Sequence, residues 1–136
     1  PDSEVQLLLG DATQLPEIVP PNAHNRICGF VLDPPYGRNS QGSLDHAELI
    51  QSVLRSARKV AADDAGLVLI LPMHPFGELP DEALESDALV ELLHGQWDDI
   101  QSTFTETGWR INQRWVEHVH ASLGRLILHA TIVPQD

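Results

Sequence analysis

Five consecutive residues, Asp33-Pro34-Pro35-Tyr36-Gly37, carry side chains and backbone features that could do chemistry. Neither proline has an N–H, yet both present a carbonyl. Pro35 pushes Pro34 toward an extended conformation, and the fixed φ of both rings stiffens the turn. Together with the Asp33 carboxylate, the stretch forms a rigid rim that only accepts hydrogen bonds. Such a rim fits a flat group with two N–H donors, for example the exocyclic amine of a nucleobase. Tyr36 can stack on the face of that base, an interaction worth about 1–3 kcal/mol. Gly37 turns the backbone away without placing a side chain in the site. The same acceptors favour an electron-poor methyl group and the positive charge that builds on an attacking nitrogen.

A strand must deliver these residues. Ile27-Cys28-Gly29-Phe30-Val31-Leu32 is an apolar run that predicts a buried β-strand. The rim then falls at its C-terminal end, where open parallel α/β sheets bind ligands. Val5 to Leu9 predicts an earlier short strand, closed by Gly10-Asp11-Ala12-Thr13, with Asp11 at a second C-terminal strand edge. Pro16, Pro20 and Pro21 make the next stretch a loop. A polar loop, Arg38 to Ser43, follows the rim directly.

From Asp45 to Ala62, Leu49, Ile50, Val53, Leu54, Ala57 and Val60 recur at helical spacing, with Asp45 as the predicted cap. Asp63 to Gly66 breaks that helix. Leu67 to Pro72 is wholly apolar and predicts a central parallel strand reached by a right-handed crossover. Glu82 to Leu93 and Trp97 to Thr107 predict two more helices, the second closed by Gly108. Arg110 to His120 and Leu126 to Val133 predict strands. The short link Ala121 to Gly124 makes them an antiparallel hairpin.

The 136 residues suffice for one domain with a real core. No apolar run is long enough for a transmembrane helix and no signal peptide is visible, so the sequence reads as a cytoplasmic protein. Cys28 is the sole cysteine; it excludes an internal disulfide and is expected to be a buried thiol. Twenty acids face eight bases, for a net charge of −12, and Lys59 is the one lysine. A nucleic-acid enzyme normally shows a basic footprint. Two accounts reconcile the charge with such a role. An acidic, lysine-poor surface suits a halophile, whose salt screens self-repulsion. Alternatively, the nucleic-acid-binding surface lies on another part of the protein.

Asp-Pro-Pro-Tyr-Gly after an apolar strand resembles the catalytic motif of S-adenosylmethionine-dependent amino-methyltransferases. The upstream Gly10-Asp11-Ala12 resembles the pattern that places an Asp near the cofactor adenine in these enzymes. The segment Val119-His120-Ala121-Ser122-Leu123-Gly124-Arg125, with Gly37-Arg38, is similar to archaeal THUMP-containing tRNA guanine N2-methyltransferases. The family usually has a larger residue at Ala121 and often threonine at Gly124.

The resemblance implies an α/β, Rossmann-like methyltransferase fold in its C-terminal portion, with a mostly parallel sheet closed by the antiparallel terminal hairpin. It implies S-adenosylmethionine as cofactor, contacted by Asp11, Ala12 and Asp33. Asp33, Pro34, Pro35 and Tyr36 become catalytic, and Tyr36, Gly37, Arg38, Ser122 and Arg125 substrate-binding. The implied reaction is methylation of the exocyclic N2 amine of a guanine in tRNA. The family's glycine-rich cofactor loop and ribose-binding acid have no counterpart in these residues. On this reading 1–136 is the C-terminal part of a catalytic domain, expected to be inactive by itself. The Ile27–Leu32 edge is expected to lie open, so that the chain self-associates or pairs with the missing N-terminal part. Affinity for tRNA is expected to reside mainly outside this segment.

Other readings stay open. An adenine-N6 methyltransferase acting on DNA or RNA, or a protein-glutamine methyltransferase, would present a similar N–H nucleophile to the rim. A methyltransferase-like domain that only binds a partner is a non-enzymatic alternative. Of the histidines, only His118 and His120 alternate on a strand, and with no third ligand in register no metal site is expected. Trp97, Trp109 and Trp115 read as core or interface residues.

Overall fold

The computed structural model describes residues 5–33, 43–73, 96–120 and 123–134, with Glu85 and Asp87. The expected helix over 82–93 lies outside them except for those two positions. Among the described residues one four-stranded sheet is built from β1 (Ile27–Leu32), β2 (Ala61–Met73), β3 (Trp109–His120) and β4 (Leu123–Ile132), in the order β1-β2-β4-β3. β1 runs parallel to β2, whereas β4 is antiparallel to both β2 and β3. The expected mostly parallel sheet is therefore a mixed one, because the hairpin supplies half the strands and its second strand inserts next to β2.

Among the described residues the sheet is accompanied by the helices α1 (Leu15–Ile18), α2 (Ser43–Val60) and α3 (Trp97–Glu106). α2 starts two residues before Asp45, which thus falls in its first turn rather than at its cap. Val53, Leu54, Ala57 and Val60 recur along one face of α2 and are all buried. In α3, Trp97 and Phe104 are buried and Ile100 is packed against the core. Asp98 and Asp99 in its first turn complement the helix dipole. Thr107 caps the end, and Gly108 at φ 92° takes the left-handed turn.

Both long helices cover one face of the sheet. Leu67, Leu69 and Leu71 of β2 and Leu126, Leu128 and Ala130 of β4 point into that core. Their alternates Val68, Ile70, Ile127 and His129, with Trp115 of β3, are half-buried on the opposite face. Trp97 and Trp109 are fully buried, the former under the Arg114 guanidinium at 5.7 Å.

Four sequence expectations fail here for physical reasons. Residues 5–9 form no strand. They have no neighbour to pair with among the described residues, and Leu7 is 93% exposed. Cys28 is exposed, because β1 pairs only with β2 among the described residues and this end of the strand is not covered. β2 begins at Ala61 rather than Leu67. Ile27 aligns with Ala61 and Gly29 with Gly66, so the acidic stretch Ala62–Ala65 is accommodated as an irregularity within the strand. A register shift separates His118 from His120, which removes the alternation on which their pairing rested. No helix among the described residues is long and apolar enough to cross a membrane.

Candidate functional site

The parallel strand β1 rises from Asn25 and Arg26 to Leu32, and Asp33 follows at its C-terminal end, exposed to solvent. Phe30 and Leu32 hold the strand to the core, while Val31 between them is 78% exposed. Asp33 is thus set by its neighbours' packing, with its carboxylate facing water. The rest of the rim, Pro34, Pro35, Tyr36, Gly37 and Arg38, lies outside the described residues, as does Ser122.

Topology brings a second candidate to the same end of the sheet. Leu32 aligns with Leu69 of β2, and Arg125 of β4 aligns with Pro72, three residues further along. Three residues of strand are about 10 Å, and the two strand spacings from β1 to β4 add about 10 Å sideways. Arg125 is exposed and stands opposite Glu117 of β3. The β3–β4 pairing therefore ends at the end of the sheet where Asp33 sits.

Asp11 is positioned by a different device. It caps the single turn Ala12–Gln14. Its Oδ1 accepts both the Thr13 N–H, at 2.8 Å, and the Thr13 hydroxyl, at 2.7 Å. Its other oxygen carries no bond among the described residues. The Ala12 N–H opens the turn, where helical geometry supplies no partner. The free carboxylate oxygen thus lies beside the first N–H of the turn, an acceptor next to a donor. Gly10 lets the chain pass close to the Ile18 side chain, which would have to shift for a Cβ there. The turn is tied to α2 through the Leu15 N–H, which donates to Ser56 Oγ at 2.7 Å. No hydrogen bond or ion pair among the described residues joins Asp11 to Asp33. Sequence reading missed Thr13 and Ile18; the Asp-x-Thr spacing of a side-chain-capped turn was the signal for the first.

The two bonds from Thr13 hold the Asp11 carboxyl below its ordinary value of 3.8, the backbone N–H contributing most. A carboxyl depressed in the folded state adds stability above its unfolded pKa and loses it as pH falls through the folded one. The turn therefore loosens only in acid, below 3.8. In a carbon-detected NMR titration the Asp11 midpoint is expected below that value. Thr13→Val removes the hydroxyl but keeps the N–H, so the depression should shrink without vanishing. A midpoint at or above the ordinary value in the parent protein would contradict the geometry.

No protein-family model matches the chain, and no curated protein matches it. Solved structures do. A protein of Thermus thermophilus, assigned as a DNA modification methylase, superposes with a TM-score of 0.59 at 16% identity, covering 93% of this chain and 52% of its own. The same protein complexed with S-adenosyl-L-methionine gives 0.55 at 16% identity, covering 94% and 55%. A variant of the 16S rRNA (adenine(1408)-N(1))-methyltransferase from Catenulisporales acidiphilia gives 0.53 at 22%, covering 87% and 56%. The chain has the methyltransferase fold. It spans about half the length of these structures. In the fold's terms, Asp33 stands at the carboxyl end of a parallel strand, the position at which open α/β sheets bind ligands.

Proposed function

We propose that this chain carries the target-amine site of an S-adenosylmethionine-dependent methyltransferase acting on nucleic acid, with the N2 amine of a tRNA guanine as its substrate. The observation that carries the reading is the place of Asp33. An exposed carboxylate that opens an Asp-Pro-Pro-Tyr-Gly stretch sits at the C-terminal end of a parallel strand in a methyltransferase fold. Asp33 and the Pro34 carbonyl would accept the two amine hydrogens and leave the nitrogen lone pair facing the methyl donor, and Tyr36 would stack on the base. Acceptors at that point also stabilise the positive charge on nitrogen before the proton leaves. Asp11 and the Ala12 N–H would hold the adenine edge of S-adenosylmethionine, which supplies the electrophilic methyl group. Arg125 at the same sheet end would take part in substrate binding.

The test is transfer of labelled methyl to unmodified tRNA by the protein as purified from its own cells, followed by nucleoside analysis. Label in N2-methylguanosine is expected. Label in N6-methyladenosine or in protein glutamine would move the assignment to those amines, and no label would leave the fold without this activity.

Among the described residues β1 pairs only with β2, and its other edge fits the same reading. About half of each similar structure has no counterpart here, and we propose that the matching half of the fold pairs along β1 and covers Val68, Ile70 and Ile127. In the chain by itself, the uncovered edge recruits a second copy. Val31→Lys, at a 78% exposed position, should leave stability within about 0.5 kcal/mol. It should also shift light scattering from dimer to monomer. A monomeric parent protein would mean the edge is covered from within.

A further inference from the structure

At the opposite end of the sheet the chain gathers positive charge. A cleft of about 390 Å³ is lined by Asn25, Arg55, Arg58, Lys59, Glu106 and Thr107. Three of the eight basic residues of a chain with net charge −12 thus meet in one place. Asn25 precedes β1, and its N–H donates to the Val60 carbonyl at 3.0 Å, just where α2 passes into β2. The cleft therefore lies at the N-terminal ends of β1 and β2. The six residues of β1, about 20 Å, separate it from Asp33.

Arg58 is built into this place. Its stem crosses the turn after α3: a Cβ on Gly108 would come within 2.9 Å of Arg58 Nε and 3.1 Å of Cδ. Gly108 thus serves both the left-handed turn and the seating of the arginine. Arg58 Nε is enclosed and has no hydrogen-bond partner among the described residues. None of the three cations forms an ion pair among the described residues, although Glu106 lines the same cleft. Cations in the last turn of α2 complement its dipole, which accounts for their charge. It does not account for three cations that line one cleft with no ion pair among the described residues.

We propose that the cleft between the ends of α2 and α3 binds a phosphoryl group. Arg58 offers its terminal N–H groups from a seated guanidinium, Arg55 and Lys59 add charge from the rim, and Asn25 lies in the same wall. A planar guanidinium held by its stem presents its donors to phosphate oxygens in a fixed fork, which a mobile lysine does not. The phosphoryl group has two sources, a polynucleotide backbone or a small phosphate compound, and the test separates them.

The experiment titrates the whole chain with pyrophosphate and, separately, with unmodified tRNA transcript, following the Arg58 Nε–H and Gly108 amide signals by NMR. Saturable shifts of both with pyrophosphate are expected. Arg58→Gln should weaken the binding about tenfold or more, and Arg58→Lys should not restore it. The double variant Arg55→Gln, Lys59→Gln leaves the seated Arg58 in place, so it tests the site even where Arg58→Gln unfolds. It should weaken binding several-fold. If tRNA moves the same signals, and the double variant lowers its salt slope by about one to two, the ligand is a polynucleotide backbone. Shifts with pyrophosphate alone assign a small phosphate compound. If neither probe saturates the Arg58 and Gly108 signals, the proposal is overturned. The readout is binding, so that result leaves the methyl-transfer reading untouched.

Discussion

Asp33→Ala is expected to lower methyl transfer by about two to three orders of magnitude while leaving the melting temperature in place. The magnitude follows from removing one preorganised polar group at the point where charge develops, which costs roughly 10²–10³ in turnover. The stability half follows from the structure. Asp33 is exposed and lies past the last paired residue of β1, and substitutions at such positions stay within about 0.5 kcal/mol. β1 itself is held by Phe30 and Leu32 against the core. Asp33→Asn keeps one acceptor oxygen and loses the charge, so its loss should be smaller than that of alanine. Single-turnover transfer by the complete protein, beside a thermal melt of each variant, makes the comparison. Wild-type turnover in Asp33→Ala would remove the carboxylate from the mechanism. A large drop in melting temperature would mean that the residue serves the fold.

What the sequence made legible was periodicity. α2 and α3 were marked by apolar residues at helical spacing, and Gly108 marked where α3 had to stop. The hairpin followed from a short link between two strand-like runs. What failed depended on neighbours. Val5 to Leu9 is as strand-like as many real strands, but a strand exists only where another edge accepts it. Cys28 sits in an apolar run, and such a run reads as buried on both sides. Its burial is decided by what covers β1, which no local pattern reports. The insertion of β4 between β2 and β3 is a choice among pairings, invisible in either strand alone. The site divides the same way. Asp33 could be placed because its motif is continuous with β1. The basic cleft could not, because Arg58 meets Gly108 only after α3 docks beside α2.

Trp109→Ala should be among the most destabilising single changes at the described residues. The ring is fully buried at the start of β3. It stands edge-on to Phe30 of β1, with centroids 6.0 Å apart and an interplanar angle of 82°. Its Nε1–H donates to the Leu54 carbonyl of α2 at 2.9 Å. One side chain therefore ties the edge strand that ends at Asp33 to the crossover helix and to the hairpin. Deleting a buried tryptophan costs about 3–5 kcal/mol, a large share of the roughly 5–15 kcal/mol that holds a domain together. Trp109→Phe keeps an aromatic ring and loses the donor. The Leu54 carbonyl keeps its helical bond from the residue one turn further on, so no orphan acceptor is created, and the hydrogen bond itself is worth only about 0.5–1.5 kcal/mol. The phenylalanine variant should therefore recover more than half of the alanine loss. A cycle of Trp109→Ala with Phe30→Leu should show coupling of about 0.5–1.5 kcal/mol from the edge-to-face pair. Urea unfolding of these variants beside the wild type measures all three quantities. An alanine variant within about 1 kcal/mol of wild type, little more than a surface substitution gives, would mean that Trp109 is not the joint between β1 and α2.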